Sequence, residues 1–197
     1  MNQADRFSAA APNQRFIQGV MPREESMTEH VFTVPADYGC LAILDPEKYV
    51  GFVSEDWAIE GLKKHFINQN KNGSLISWGC SYGNWIIKLA IGPSNDAGYR
   101  SFVSGFKTNG KVLLTTYESL TMAAQFEDVT LPEAHEIKQV VEVQPGNYKV
   151  TVTQLFHTDQ AESDEVFNQK TPHYLVSLEP ANEEVDPVME VPWFEGY

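Results

Sequence analysis

Residues 140–156 read VVEVQPGNYKVTVTQLF and carry the strongest structural pattern in the chain. Apolar and polar side chains alternate on both sides of Pro145 and Gly146, a pattern typical of half-buried strands. Proline presets φ at the first central position of a type II turn, and glycine permits positive φ at the second. The stretch therefore predicts an antiparallel β-hairpin and a mainly β protein.

Further apolar runs of strand length occur along the chain, separated by turn residues. Asn109-Gly110 lies between two of these runs and is a strong signal for a second hairpin. Residues 118–126 break the alternation, and this segment is predicted to form either a short helical turn or a loop. The runs lie at 31–34, 38–44, 75–80, 85–91, 99–106, 112–117 and 174–178. We therefore predict an antiparallel β-sandwich or curled sheet of about eight strands with one covering helix.

The covering helix is predicted after Ser54, a residue type favoured at helix N-caps. Ile59, Leu62 and Phe66 then recur at three- and four-residue spacing and form one apolar stripe. The polar stretch 68–73 contains Asn and Gly residues and predicts the end of the helix.

Composition divides the chain into three parts. Residues 1–27 are polar and interrupted by prolines, and they predict an N-terminal arm. Residues 28–180 hold the strand-like runs and predict a single β-rich domain. Residues 181–197 are acidic, contain no Lys or Arg and end in aromatic residues, so they predict a C-terminal tail.

The charge balance restricts the classes of partner. The formal net charge is −13 and the pI is about 4.7. Nucleic acids and anionic membranes attract clustered Lys and Arg, so neither is an expected partner. An acidic surface instead favours a basic protein, which long-range attraction steers toward it. The N-terminus lacks the pattern of a signal peptide, and we expect a cytoplasmic protein without membrane spans.

Motifs for catalysis, metal binding and cofactors are not found. The five histidines are scattered, and Glu133, His135 and Glu136 lie in a polar loop that does not have the spacing of a metal site. Cys80 is flanked by small residues, but an acidic chain offers no electropositive setting to activate its thiol. We expect Cys40 and Cys80 to be free core thiols, and a disulfide between them is the alternative. No enzyme activity, metal or cofactor is predicted.

Two acidic segments are the predicted partner-binding regions. The first is the loop after residue 157, and the second is the tail, in which two aromatic side chains are candidate anchors. These residues are Asp159, Glu162, Asp164, Glu165, Glu183, Glu184, Asp186, Trp193 and Phe194. Packing of the tail aromatics against the domain is the alternative interpretation of Trp193 and Phe194.

The segment 31–180 resembles an uncharacterised family of small acidic bacterial β-rich proteins through its PGxYxVxV stretch, here Pro145 to Val152. By analogy, such small acidic proteins often look like immunity or antitoxin partners of secreted bacterial toxins. The resemblance implies a protein-binding module that binds and occludes a bacterial toxin, with a basic toxin domain as the partner. Two alternatives stay open: a structural or assembly subunit of a phage or secretion apparatus, and an enzyme or small-ligand-binding protein of unrecognised type with a site near Cys80 or His135.

Overall fold

The strands of the protein divide between two sheets. A computed structural model describes residues 28–37, 39–94, 97–157 and 171–194. The predicted N-terminal arm and the predicted binding residues Asp159, Glu162, Asp164 and Glu165 lie outside these ranges. The strands are β1 Thr28–Ala36, β2 Gly39–Leu44, β3 Leu75–Cys80, β4 Gly83–Ile91, β5 Arg100–Thr108, β6 Lys111–Thr116, β7 Val140–Glu142, β8 Gly146–Gln154 and β9 Tyr174–Ala181, and the helices are α1 Ile59–Lys71 and α2 Tyr117–Gln125.

The five-stranded sheet has the order β1-β4-β9-β8-β5, and the four-stranded sheet has the order β3-β2-β6-β7. Neighbouring strands are antiparallel apart from β4 and β9, which are parallel. The two sheets enclose one apolar core, and both helices cover the other face of the four-stranded sheet. The predicted mainly β class with a curled sheet and a helical cover is confirmed, and the cover contains a second helix at 117–125.

The central strand β2 explains why its sequence, GCLAIL, is apolar throughout rather than alternating. Leu41 and Ile43 face the core between the sheets, whereas Cys40, Ala42 and Leu44 face the helices. A strand covered on both faces needs apolar side chains at every position.

The predicted hairpin at 140–156 is wrong, because its two strands lie in different sheets. β7 pairs with β6, and β8 pairs with β5 and β9. The predicted Asn-Gly hairpin is wrong for the same reason, since β5 and β6 also belong to different sheets. Instead, the chain runs from β5 directly into β6, and from β7 directly into β8. Each of these two segments passes from one sheet to the other. The four strands form one bent two-stranded ribbon that crosses from sheet to sheet.

The corner of this ribbon has one more residue on one strand than on the other. Thr108 pairs with Gly146 on one side, and Lys111 pairs with Glu142 on the other, so residues 109–110 face residues 143–145. The N–H of Val143 donates to the carbonyl of Gly110 across the corner (3.0 Å). Such an extra residue bends a ribbon, as a β-bulge does. Gly110 at φ 129° and Gly146 at φ 156° occupy the conformations that the bend requires.

Helix α1 begins later than predicted. Ala58 is its N-cap residue, and the hydroxyl of Ser54 instead accepts a hydrogen bond from the N–H of Asp56 (3.1 Å) in a local turn. The helix ends as the Asn- and Gly-rich stretch predicted. Gly73 has φ 70°, its N–H donates to Asn70, and the next N–H, of Ser74, donates to Gln69. These bonds form a Schellman motif.

His173 joins three strands at the start of β9. The N–H of Ile86 in β4 donates to its Nδ1 (2.8 Å), and its own N–H donates to the Ile86 carbonyl (2.7 Å). Its carbonyl accepts from Leu155, which follows β8. Burial lowers the pKa of His173, because the charged form loses hydration. Protonation at Nδ1 would also remove the acceptor that Ile86 uses.

We predict that the free energy of unfolding falls as the pH is lowered through 6.5. The unfolded chain has the ordinary histidine pKa, so it binds the proton before the folded protein does. The contribution of His173 is therefore fully present above pH 6.5 and is lost as the pH falls toward the folded-state value. Chemical denaturation at a series of pH values measures this slope.

In His173→Gln the amide oxygen can accept the Ile86 N–H without titrating, so the slope should decrease. The pKa of His65 is also lowered by burial, so part of the slope should persist and disappear when His65→Gln is added. An unchanged slope in the double variant would assign the pH dependence to other groups.

Candidate functional site

A cavity of about 350 Å³ lies where the ends of β1 and β6 meet the starts of β4 and α2. The chain leaves β1 at Asp37, and Tyr82 immediately precedes the neighbouring strand β4. Helix α2 supplies Glu118 and Met122 from its first turns. The cavity is lined by Pro35, Ala36, Asp37, Tyr82, Gly83, Asn84, Thr116, Glu118, Ser119, Met122, Glu133 and His135. We call it the acidic pocket.

Glu118 is the central carboxylate of the acidic pocket. Its Oε1 accepts a hydrogen bond from the backbone N–H of Asp37 (2.8 Å), which ties α2 to the end of β1. Its Oε2 is buried and has no hydrogen-bond partner among the residues that the structure describes. A buried carboxylate oxygen without a partner is energetically costly. Glu118 can therefore accept a further donor.

The loop that carries Glu133 and His135 is held in place by a buried side chain, Glu136. Its Oε2 accepts the N–H of Glu133 (3.0 Å), and its Oε1 accepts the hydroxyl of Thr115 on β6. Glu136 is 1% exposed. This anchor fixes the two rim residues beside the pocket, although they belong to a polar loop.

The carboxylates of the acidic pocket are not neutralised by Lys or Arg in the described part of the chain. The ion pairs there join Lys88 to Glu29, Lys107 to Glu184, Lys111 to Glu47 and Lys149 to Glu179. Asp37, Glu118 and Glu133 take part in none of them. The pocket is thus a concentration of negative charge on a chain that already has a net charge of −13.

Exposed apolar side chains flank this charge. Tyr82 is 69% exposed and Met122 is 43% exposed, and both line the pocket. Tyrosine and methionine are enriched in protein–protein interfaces, where a large apolar surface meets polar groups. The pocket therefore combines the two features that a binding site for a cationic side chain needs: negative charge and apolar walls for its stem.

The two cysteines lie near this site but on opposite faces of one sheet. Cys40 pairs with Gly79 and Cys80 with Gly39, so alternation directs Cys40 toward the helices and Cys80 toward the inter-sheet core. Both thiols are free. Burial and then Glu118 raise the pKa of Cys80 to about 12, and burial raises that of Cys40 well above its ordinary value. Neither thiol is prepared to act as a nucleophile.

Metal-binding geometry is also not found in the ranges described by the structure. No group of three or more His, Cys, Asp or Glu side chains is arranged there to hold a metal ion. In the same ranges, no helix is long and apolar enough to cross a membrane.

The predicted tail residues lie where the tail crosses the edge strands β5 and β3. Gly105 of β5 donates its N–H to the Asp186 carbonyl (3.1 Å), and Gly79 of β3 donates to the Pro192 carbonyl (2.7 Å). Asn70 at the end of α1 donates to the Val188 carbonyl. We call residues 182–194 the C-terminal strap.

The aromatic residues of the strap pack against the domain. The guanidinium of Arg100 lies 4.5 Å from the Trp193 ring centroid, and Phe102 packs edge-on at 5.1 Å. Phe194 lies on the helix side, with the Lys63 ammonium 4.9 Å from its ring centroid. This agrees with the alternative interpretation that these side chains anchor the tail.

The acids of the strap differ in their surroundings. Glu184 accepts a hydrogen bond from the Lys107 ammonium (2.6 Å), and this bond, with the charge of Lys107, lowers the pKa of Glu184. Glu183 and Asp186 are exposed. The structure thus separates the strap acids from the acidic pocket, whose residues Asp37, Tyr82, Glu118 and Met122 the sequence analysis did not select. Only the neighbourhood of His135 and Cys80 was named, as the location of an alternative ligand site.

Comparison with known proteins identifies the fold. No protein-family model matches the chain, and no curated protein matches its sequence. The structure is similar to that of a protein described as "Crocagin biosynthetic gene J", with 14% identity and a TM-score of 0.56 over 80% of this chain and 99% of that chain. A second match is ComJ from Bacillus subtilis, described as an inhibitor of the DNA degrading activity of NucA, with 9% identity and a TM-score of 0.46 over 79% and 98% of the two chains. The first likeness shows a shared fold, and the predicted family resemblance stays a prediction.

We predict that Gly79→Ala lowers the free energy of unfolding, whereas Gly61→Ala does not. A Cβ at Gly79 would lie 2.0 Å from the Trp193 carbonyl oxygen, so the C-terminal strap would have to move, at a cost of about 1–3 kcal/mol. A Cβ at Gly61, in α1, meets no atom within 4 Å. Alanine there should stabilise the protein by up to about 1 kcal/mol. Urea denaturation compares the two, and equal effects would contradict the close packing of the strap.

We also predict that neither thiol reacts readily in the native protein. A pKa of about 12 instead of 9.0 reduces the thiolate fraction of Cys80 near neutral pH by about a thousandfold. A chromogenic disulfide reagent should therefore modify Cys40 and Cys80 only after unfolding. Fast labelling of the native chain that is lost in Cys80→Ser would reverse this conclusion and favour a reactive site.

Proposed function

We propose that the protein is a protein-binding inhibitor of the immunity type, which binds a basic bacterial toxin domain and occludes it. The observation that supports this proposal best is the acidic pocket, with three carboxylates that have no cationic partner in the described residues and an apolar rim. A Lys or Arg side chain of the partner fits this site. Its donors would bind the carboxylates that line the pocket, and its stem would pack against Tyr82 and Met122.

The net charge would act before contact is made. A charge of −13 attracts a basic protein over distances of about the Debye length and raises the association rate. The acidic residues Asp159, Glu162, Asp164 and Glu165, together with Glu183 and Asp186 of the C-terminal strap, contribute to this field. The acidic pocket would then fix the orientation of the complex, and the bulk of the sandwich would block the partner's active surface.

A small-ligand-binding protein is the second candidate, because about 350 Å³ lies within the range of ligand sites. The same charges would then select a small organic cation. Thermal unfolding with arginine amide or a polyamine tests this candidate. A saturable rise in melting temperature that Glu118→Gln removes, together with no protein partner recovered by affinity capture, would favour it over the inhibitor.

We predict that neutralising the acidic pocket weakens capture of a basic partner at least about tenfold, because breaking a desolvated charge pair costs roughly 2–5 kcal/mol. The test variant combines Asp37→Asn, Glu118→Gln and Glu133→Gln. Affinity capture from the protein's own cell type, followed by mass spectrometry, measures the effect. The captured protein is then expressed alone and with this chain, and rescue of growth tests inhibition.

The matched control combines Asp56→Asn, Glu55→Gln and Glu60→Gln, which removes the same charges from exposed positions at the start of α1. If net charge alone mattered, the two variants would bind equally poorly. If both variants bind the partner as well as the unchanged protein does, the acidic pocket is not the binding site. A captured partner that is harmless when expressed alone would argue against a toxin.

A further inference from the structure

Strand β1 is the edge of the five-stranded sheet, and the side of its backbone that faces away from β4 can be identified. Ile86 of β4 exchanges hydrogen bonds with His173, on the side of β9. Because the backbone groups of a strand alternate in direction, the odd-numbered residues of β4 face β1. These residues pair with the even-numbered residues of β1, for example Trp85 with Val34.

The odd-numbered residues of β1 therefore direct their backbone groups away from the sheet. Within the ranges described by the structure, the N–H groups of Glu29, Val31 and Thr33 have no hydrogen-bond partner. All three residues are exposed, and Val31 is 61% exposed. Pro35, which has no N–H, occupies the next position in this row, as expected for a proline on an open edge.

The other sheet edges are covered or short. The C-terminal strap and Gly73 bind the N–H groups of Gly105 and Lys107 on β5. The strap also binds Gly79 of β3, a strand that is buried along almost its whole length. Strand β7 has three residues and ends at the ribbon corner. Among the residues that the structure describes, nine-residue β1 is thus the long edge available for pairing.

The open edge of β1 ends at the acidic pocket. Pro35 and Ala36 of β1 line the pocket, and Asp37 is bound there by Glu118. A strand that pairs with residues 29–33 and continues past Pro35 arrives at this pocket. Along the edge, the carboxylate of Glu29 is paired with the ammonium of Lys88 (2.6 Å). The carboxylates without a cationic partner in the described residues therefore lie at the pocket end.

We infer that β1 accepts an extended segment of a basic protein partner by β-strand addition, and that this segment directs a Lys or Arg side chain into the acidic pocket. The inference rests on the proposed function and specifies how the partner is held. Backbone hydrogen bonds at Glu29, Val31 and Thr33 supply affinity, and the pocket supplies selectivity for a cation. A second copy of this chain is a poor occupant, because two chains of charge −13 repel each other.

The test uses the full chain and a short model peptide of alternating valine and lysine residues. Nuclear magnetic resonance should show amide shifts at Glu29, Val31 and Thr33 when the peptide is added. Fluorescence anisotropy with a labelled peptide should give binding that Val31→Pro weakens by about tenfold or more, a change of at least roughly 1.4 kcal/mol. The N–H of Val31 does not face β4, so the substitution leaves the ladder to β4 intact.

Controls separate the backbone from the side chain. Val31→Ala retains the N–H and should bind within about twofold of the unchanged protein. Thr33→Pro is the second variant if Val31→Pro does not fold, as judged by circular dichroism. A peptide with N-methyl groups on alternate residues cannot form the edge bonds and should not bind.

Three results would overturn the inference: equal binding of the N-methylated peptide, shifts confined to the pocket with β1 unchanged, or a concentration-dependent dimer of the free chain that Val31→Pro abolishes. The last result would identify a second copy as the occupant. The proposed function is assessed separately in the capture experiment. A partner that Val31→Pro captures equally but the neutralised pocket does not capture supports the proposed function and refutes strand addition. Peptide binding at β1 without any captured toxin supports strand addition and argues against the proposed function.

Discussion

The bent ribbon that links the two sheets is the constraint on which the rest of the structure depends. β5 and β8 pair over nine residues, and β6 and β7 continue the same ribbon beyond the corner. Because both strands pass through the corner, the position of one sheet relative to the other is fixed by hydrogen bonds as well as by packing. Tyr148, next to the corner, inserts into the core and donates its hydroxyl to the Gln144 carbonyl (2.7 Å). The corner thereby places the inner faces of both sheets against a common core.

The C-terminal strap closes the side of the sandwich that the ribbon leaves open. It needs close backbone approach at Gly79 and Gly105, where a Cβ would lie 2.0 Å from a strap carbonyl oxygen in each case. Trp193 joins the inter-sheet core, and Phe194 joins the core beneath the helices. The acidic tail is therefore part of the folded domain surface. The acidic side chains of Glu183 and Asp186 are exposed, whereas Trp193 and Phe194 anchor the strap to the core.

The sequence predicts local structure here better than it predicts pairing. Alternation correctly identified β8, and the apolar run at 38–44 contains β2. Pro145-Gly146 and Asn109-Gly110 lie at a corner between the sheets and not in the hairpins that they predicted. A hairpin and a corner between sheets use the same turn residues and the same alternation, so the choice between them depends on distant pairing partners. The acidic pocket could not be predicted from local sequence patterns, because its formation also depends on segments that are distant in the chain. Asp37, Tyr82, Glu118 and Glu133 come from separate segments, and each is an ordinary polar or aromatic residue in its own neighbourhood.

The acidic pocket collects carboxylates that have no cationic partner in the described part of the chain, and this is why a binding role is proposed for it. Three carboxylates face one cavity, and one oxygen of Glu118 is buried without a donor among the described residues. A buried acceptor without a donor raises the free energy of the folded state. Elsewhere in the described chain, Glu29, Glu47, Glu179 and Glu184 each have a lysine partner. In the proposed complex, a cationic side chain of the partner would supply the counter-charge that the described residues do not.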